Sequence, residues 1–347
     1  MYPYVLLGIW ATFLIIIQEQ RYFINLKKYI YYINIFLLII FYGIRENIGY
    51  DYIQYKEFIE NNIYIFYASN GEFLSVLLME IASQLEDYKI YFFLVAIISI
   101  PLYLYSIKKY TDLENKWGWG VLVFLALPIG LIQTLSLSRQ FTAIAIILFA
   151  TKYIINRNFM KYFICIIIAS MFHISSLLSI IYYFVSSRHF KYKYFIWIMF
   201  MFILMFLLKS YLIILFPSKA FYLNIAGINE INGLSQILLY VFFAMIFIYI
   251  KKYIYKKDIY EIILKIYLWS SMLAIVFSLN TGILGIRLGM PGLTYIFILL
   301  PYIFEAFNIK QRFLIKFIIY FILLGIYIYN LSITTLNAYV PYQSFCF

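Results

Sequence analysis

Long apolar runs, separated by short polar or basic segments, alternate along the whole 347-residue chain. A helix of about 20 apolar residues crosses a ~30 Å hydrocarbon layer, and the runs lack the residue-by-residue alternation of a membrane barrel strand. The pattern therefore predicts an all-α, polytopic transmembrane helical bundle with about ten full spans and additional re-entrant or interfacial helices. The predicted spans are 2–17, 29–42, 88–107, 119–135, 141–155, 196–216, 234–250, 262–279, 288–304 and 313–331.

Two further segments do not fit a simple span. Residues 72–85 are short and amphipathic, which is typical of an interfacial or re-entrant helix. Residues 162–185 carry the polar interruption His173-Ile174-Ser175-Ser176. As one span they would invert the sidedness of every later basic loop, so we expect a hairpin that breaks near His173 and returns to the side it entered from.

Three arginines fall on the side of the predicted membrane opposite to most lysines. Most lysines, among them Lys109 and Lys252, lie in loops that the positive-inside rule assigns to the cytoplasm. Arg45, Arg139 and Arg287 fall on the opposite side. With this sidedness Asp51 and the C-terminus are extracytoplasmic, and the two long outer loops are 45–71 and 217–233.

The composition agrees with an integral membrane protein. The chain is 65% hydrophobic and 12% charged, whereas a soluble domain is roughly half apolar and a quarter charged. No linker composition interrupts the chain, so we expect one membrane domain over 1–347. The net charge of +12 resides largely in the short loops and therefore does not indicate nucleic acid.

Other compositional signals are weak. Cys165 and Cys346 form neither a disulfide framework nor a metal-binding spacing, and no phosphate loop or nucleophile elbow is present. We therefore expect no metal and no cofactor. The N-terminal sequence MYPYVLLGIW lacks a basic region and a small-residue cleavage site, so it is interpreted as a retained first span.

Four polar sites stand out against this apolar background: residues 43–55, residues 138–140, His173 and Arg287. Guanidinium groups bind phosphate through a two-pronged fork and stay charged near lipid. Arg45, Arg139 and Arg287 are therefore predicted to hold an anionic ligand such as a lipid-linked diphosphate. The alternative is that each arginine is an interfacial residue that extends its head group to water.

The remaining candidates each have a structural alternative. Asp51 could accept a proton from a sugar hydroxyl, orient Arg45 or cap a helix. His173 could act as a base, contact phosphate or satisfy a neighbouring helix. Glu72 opens the predicted interfacial helix, where the helix dipole alone favours a carboxylate. Tyr50, Tyr52 and Tyr55 could stack on sugars or belong to an aromatic belt at the membrane surface.

The same motifs carry a resemblance to a known family. They are GIRENIGYDYIQY at 43–55, the acidic Glu72, SRQFTAIAIILFA at 138–150, MFHISSL at 171–177, GIRLGMPGLTYIFILLP at 285–301 and a tail ending near Pro341-Tyr342. In this order, over nearly the whole chain, they resemble the EpsG family of bacterial membrane proteins, which is related to the Wzy-type polysaccharide polymerases and to GT-C glycosyltransferases.

The resemblance implies a multi-pass enzyme of the bacterial cytoplasmic (inner) membrane that joins lipid-diphosphate-linked oligosaccharide repeat units into a surface polysaccharide at the extracytoplasmic face. Its substrate would be an undecaprenyl-diphosphate-linked oligosaccharide, and its partners would be membrane lipids and, as a candidate, a chain-length regulator protein. Carried over by motif, Asp51 and His173 would be catalytic. The substrate-binding residues would be Arg45, Arg139, Arg287, Glu72, Tyr50 and Tyr55.

Two other functions remain open at this stage. A membrane O-acyltransferase built on His173 would draw its acyl donor from the cytoplasm and leaves the three outer arginines without a role. A flippase or transporter of lipid-linked glycans would place charged residues along a central passage, often with internal repeats, and the sequence shows neither.

Overall fold

The computed structural model describes residues 2–20, 24–111, 116–187, 191, 200, 230–254, 257–281, 283–333, 339 and 342–344, and the statements below refer to these residues. About 84% of the structure is helical. The helices are α1 Tyr2–Glu19, α2 Ile24–Gly43, α3 Tyr52–Glu60, α4 Phe66–Ser69, α5 Phe73–Gln84, α6 Lys89–Thr111, α7 Trp117–Ala126, α8 Leu131–Ser136, α9 Ser138–Ile155, α10 Phe159–Ser170, α11 Ile181–Val185, α12 Glu230–Ile250, α13 Lys257–Thr281, α14 Ile283–Leu293, α15 Ile296–Leu299 and α16 Ile309–Ile333.

Shorter elements connect these helices. Short 3₁₀ helices cover Ile63–Ile65, Ile174–Ile180, Lys251–Tyr253 and Leu300–Ala306. Strand β1, Arg45–Glu46, pairs antiparallel with strand β2, Gln343–Ser344, and Arg45 lies opposite Ser344. This two-residue ladder joins the end of α2 to the C-terminal tail.

Six helical stretches of the described chain are long and apolar enough to cross a membrane, namely 2–19, 26–43, 89–111, 138–155, 287–306 and 310–332. Large apolar side chains such as Leu6, Phe36 and Phe317 are exposed on them, as a hydrocarbon solvent allows. The all-α membrane architecture is therefore confirmed. The count of about ten spans is not, and the predicted span 196–216 lies, apart from Phe200, outside the described residues.

The predicted span 119–135 is wrong as one continuous helix. The structure has α7 and α8, separated by residues 127–130. Leu127 is extended, with ψ 143°, because the ring of Pro128 disfavours a helical residue before it. A Cβ on Gly130 would lie 1.8 Å from the Phe124 carbonyl oxygen, so the chain folds back on α7 at a position that only glycine can fill.

The predicted span 288–304 is divided in the same way. It forms the end of α14, which contains Pro291, then α15 and the 3₁₀ turn Leu300–Ala306. Proline removes a helical hydrogen bond and disturbs the preceding turn. The stretch as a whole is nevertheless long and apolar enough to span.

Other predicted elements are found close to their expected places. The segment 72–85, predicted as an interfacial or re-entrant helix, forms the helix α5. The break in 162–185 falls between Ser170 and Ile174, so His173 lies in a turn. The predicted outer loop 45–71 is folded, because it contains β1, α3 and α4. Of the loop 217–233, residues 217–229 lie outside the described chain, and the remainder already belongs to α12.

The chain forms two compact units, which are described separately. The first comprises residues 1–178 and 300–347, and the second comprises residues 179–299. In the first unit α6 packs against α2 and α9, α9 packs against α10, and α7 lies between α1 and α16. In the second unit α13 packs against α12 and α14.

Gly49 fixes the turn after β1 against the chain segment that precedes α9. Its φ is 104°, and a Cβ there would lie 2.3 Å from the Leu135 carbonyl oxygen. The neighbouring Tyr50 N–H donates to Ser136 Oγ at 3.0 Å. The backbone of Gly49 and that of residues 135–136 are therefore in direct contact, with no space for a side chain.

Gly49→Ala is expected to destabilise the protein by about 1–3 kcal/mol, because alanine is strained at positive φ and collides with Leu135. The measurement is the apparent Tm in detergent. Gly325→Ala is the matched control, since no atom lies within 4 Å of a Cβ at this helical position. The control should retain or slightly raise the Tm, because alanine favours a helix by ~1 kcal/mol. Equal Tm values for both variants would contradict the assigned contact.

Candidate active site

The Glu72 carboxylate is the centre of a buried polar cluster in the first unit. Glu72 precedes α5 and is 2% exposed. Its Oε1 lies 3.0 Å from His173 Nδ1 and accepts the Ile174 N–H at 3.0 Å, while its Oε2 pairs with Arg139 NH1. One carboxylate thus joins three segments of the chain.

Sequence analysis favoured a simpler role for Glu72 at the start of its helix. Glu72 does lie at the start of α5, but its side chain makes no capping hydrogen bond to that helix. The carboxylate instead points to partners on other elements. No local pattern could have indicated those partners, since they lie 67 and 101 residues away along the chain.

The first turn of α5 is held against the turn that carries His173. The N–H groups of Leu74 and Ser75 both donate to the Met171 carbonyl oxygen, at 3.0 and 3.3 Å. Ser75 Oγ also donates to the Phe172 carbonyl oxygen at 2.9 Å. Carbonyls at a helix C-terminus have no intrahelical donor. These bonds satisfy two of them after α10 and fix His173 relative to Glu72.

Arg139 lies in the first turn of α9 and is oriented on three sides. Besides Glu72, its Nε donates to Tyr55 Oη at 3.3 Å, and its guanidinium carbon lies 3.7 Å from the centroid of the Tyr67 ring. The side chain is 17% exposed. A guanidinium has five N–H donors, so this arrangement holds the cation in place and still leaves donors for a ligand.

One ring nitrogen of His173 bonds Glu72, and the other takes no part in this bond. With a carboxylate as the acceptor, Nδ1 carries the proton and Nε2 is the basic nitrogen. The side chain is 24% exposed. An imidazole oriented by a carboxylate in this way is the arrangement that general bases use in unrelated enzymes.

Charge keeps Glu72 ionised despite its burial. Burial alone raises the pKa of the Glu72 carboxyl, but the His173 hydrogen bond, the Arg139 charge and the Ile174 N–H together hold that pKa below its usual value of 4.5. Glu72 therefore remains a carboxylate at neutral pH and can orient both the Arg139 guanidinium and the His173 ring.

Arg45 was predicted to hold the diphosphate, and the structure places it differently. The side chain is 1% exposed. Its guanidinium donates to the Tyr42 carbonyl oxygen, to the Leu135 carbonyl oxygen at 3.3 Å and to Ser138 Oγ at 3.2 Å. Arg45 thus supports the segment directly before Arg139 rather than facing a ligand.

The aromatic candidates of the same motif have different environments. Tyr50 is 66% exposed, and its ring lies edge-on to Tyr339 with centroids 5.4 Å apart. Tyr55 is 4% exposed and contributes its hydroxyl to Arg139. Tyr50 can therefore serve as a surface for a sugar ring, whereas Tyr55 is a support for the arginine. Tyr52 is fully buried and stacks on Phe92.

Asp51 precedes α3 without a side-chain capping bond and is partly exposed. Its charge is close enough to act on the hydroxyls of Tyr67 and Tyr339. Arg287 lies in α14 of the second unit with an exposed side chain. The predicted roles of Asp51 and Arg287 stay predictions.

Two contributors to the site were missed by the sequence analysis. Tyr67 stacks on Arg139, and Tyr339 of the C-terminal tail bonds Ser136 Oγ through its hydroxyl at 2.5 Å. Both residues belong to a chain with 38 tyrosines, so residue type carried no signal. Among the described residues no group of three or more His, Cys, Asp or Glu side chains could hold a metal ion.

We expect Glu72→Gln to lower the apparent Tm at pH 7, because it removes the charge from hydrogen bonds worth about 1.5–3 kcal/mol each. A carboxyl with a depressed pKa stabilises the fold fully above its unfolded value of 4.5, and this stabilisation is lost as pH falls below it. The Tm difference between wild type and variant should therefore shrink below pH 4.5. Glu80→Gln, an exposed residue on the same helix, is the control and should show no such difference. A constant difference across this pH range would contradict the assignment.

Comparison with known proteins supports the family resemblance. The model of the EpsG family matches residues 28–344. No curated protein and no solved structure shows a significant match. The six stretches of the described chain that are long and apolar enough to span a membrane agree with a membrane protein. Since the match covers nearly all of the chain, including every segment of the Glu72 cluster, the protein belongs to the EpsG family, whose members are Wzy-like polysaccharide polymerases.

Proposed function

We propose that the protein is a membrane glycosyltransferase that transfers a growing glycan from undecaprenyl diphosphate to the next lipid-linked repeat unit. The observation that carries the proposal is the shared carboxylate of Glu72, which holds Arg139 and His173 side by side. This reaction requires a cation for the leaving diphosphate and a base for the acceptor hydroxyl. The cluster contains one candidate for each role.

In this mechanism Nε2 of His173 takes the proton of the acceptor sugar hydroxyl. The resulting oxygen nucleophile forms a bond to the anomeric carbon of the donor sugar, and the bond from that carbon to the diphosphate oxygen breaks. Glu72 stabilises the imidazolium that forms, as the carboxylate partner of a general base does. The proton leaves His173 for solvent in the next step.

Arg139 would stabilise the negative charge that develops on the leaving lipid diphosphate. Its NH1 and Nε are held by Glu72 and Tyr55, so the guanidinium needs little rearrangement in the transition state. A role of Arg287 at the diphosphate stays a prediction from the sequence. Arg45 would act indirectly, as a positioning residue for the segment before Arg139.

The acceptor side of the site would involve residues 50 and 51. The exposed ring of Tyr50 offers a face for a sugar, and the carboxylate of Asp51 can accept hydrogen bonds from sugar hydroxyls. The surface at which this occurs would be extracytoplasmic, as the distribution of lysines predicts. A chain-length regulator remains a candidate partner on the same side.

Arg139→Lys is expected to lower the polymerisation rate by about 10²-fold or more, because a lysine cannot bond Glu72 and Tyr55 while also forming a fork to phosphate. The assay measures polymer ladders from a reconstituted lipid-diphosphate repeat unit. Arg157→Lys, the same exchange at an exposed turn, is the control and should be active. Near-normal ladders from Arg139→Lys would indicate that Arg139 has only a structural role. Arg287→Lys tests the predicted role of Arg287 separately.

His173→Gln should lower kcat by about 10²–10⁴-fold, because glutamine keeps a polar contact to Glu72 and has no basic nitrogen. KM should change little if His173 acts only on the proton. The control is His189→Gln at the second of the two histidines, which the sequence assigns to no site. A fully active His173→Gln variant would remove the base and leave the role of Arg139 untouched.

A further inference from the structure

A groove runs between α1 and α2 on the surface of the first unit, with a volume of about 370 Å³. Its walls include Leu6 and Trp10 of α1 and Ile40 and Ile44 of α2, and its end is formed by Tyr342 and Ser344 of the tail. We call it the α1–α2 groove. Both helices are apolar enough to span a membrane, so the groove opens to hydrocarbon along its length.

The outer end of the α1–α2 groove lies beside the segment that supports the candidate active site. Ile44 is followed directly by Arg45, and Ser344 is the ladder partner of Arg45. The Arg45 guanidinium reaches Ser138, the residue before Arg139. The groove and the Glu72 cluster therefore belong to the same end of the first unit and are connected through one side chain.

We propose that the α1–α2 groove binds the polyprenyl chain of the lipid diphosphate whose head group reacts at Arg139. The inference rests on the proposed function, because it takes the lipid diphosphate as the substrate. A ligand with one long apolar chain and an anionic head matches an apolar groove whose end is connected, through Arg45 and Ser138, to Arg139.

The groove is formed by one pair of neighbouring helices, and we assign it to a single chain rather than to a two-chain phospholipid. The ring of Tyr342 lines the groove and stacks on Phe41 at 4.7 Å between centroids. Tyr342 is itself fixed by a 2.5 Å hydrogen bond from its hydroxyl to the Phe41 carbonyl oxygen.

The test uses the full-length protein in phosphatidylglycerol vesicles with a polyprenyl phosphate that carries a diazirine in its chain. After irradiation, mass spectrometry should find the label on α1 and α2. Unmodified undecaprenyl phosphate should compete for labelling, and added phosphatidylglycerol should not. Equal competition by the phospholipid would overturn the proposal, because the groove would then be an ordinary lipid site.

Leu6→Trp and Ile40→Trp should each reduce the labelling by about tenfold, which corresponds to ~1.4 kcal/mol of lost chain burial. Val5→Trp and Ile33→Trp are matched controls, since both residues are exposed on the same helices and do not line the groove. Unchanged labelling in the first two variants would overturn the proposal. If labelling behaves as expected but no polymer forms from repeat units, the proposed function fails and the groove assignment stands.

Discussion

A buried carboxylate in an apolar chain is the constraint on which the first unit depends. Removing a charge from water costs several kcal/mol unless partners replace the solvent. Glu72 obtains these partners from the first turn of α9, from the His173 ring and from the Ile174 N–H. The N-terminus of α5, the N-terminus of α9 and the turn after α10 must therefore meet, and the same contacts that stabilise the carboxylate bring a cation and an imidazole together.

Arg45 and Arg139 differ because their positions relative to helix ends differ. Arg45 follows α2 at once, where the last carbonyls of the helix have no intrahelical donors. Its side chain folds back to the Tyr42 carbonyl and to Leu135, and it is buried as a result. Arg139 lies at the start of α9, where the unpaired backbone groups are N–H donors that a guanidinium cannot satisfy. Its side chain therefore extends to other elements and keeps some exposure.

The C-terminal tail contacts both the segment before Arg139 and the α1–α2 groove. Its strand β2 pairs with Arg45–Glu46, and Tyr339 joins Ser136 and the Tyr4 hydroxyl. Tyr342, a few residues further along the tail, lines the α1–α2 groove. The tail thus connects the apolar surface that we assign to the lipid chain with the segment before Arg139. The sequence identified the tail only as the last motif of the family resemblance.

The sequence by itself determined the membrane class, most helices of the first unit and the break at His173, because hydrophobic run length and polar interruptions are local properties. It also named Glu72, Arg139 and His173 as candidates, since charged groups are costly in an apolar chain. Only the tertiary structure decided that Glu72 joins the other two, that Arg45 is buried and that α7 and α8 are separate helices. The first two outcomes depend on residues that are distant in the chain and leave no periodic signal. The third depends on Pro128, which the length of the hydrophobic run masked, and on a backbone contact between Gly130 and Phe124.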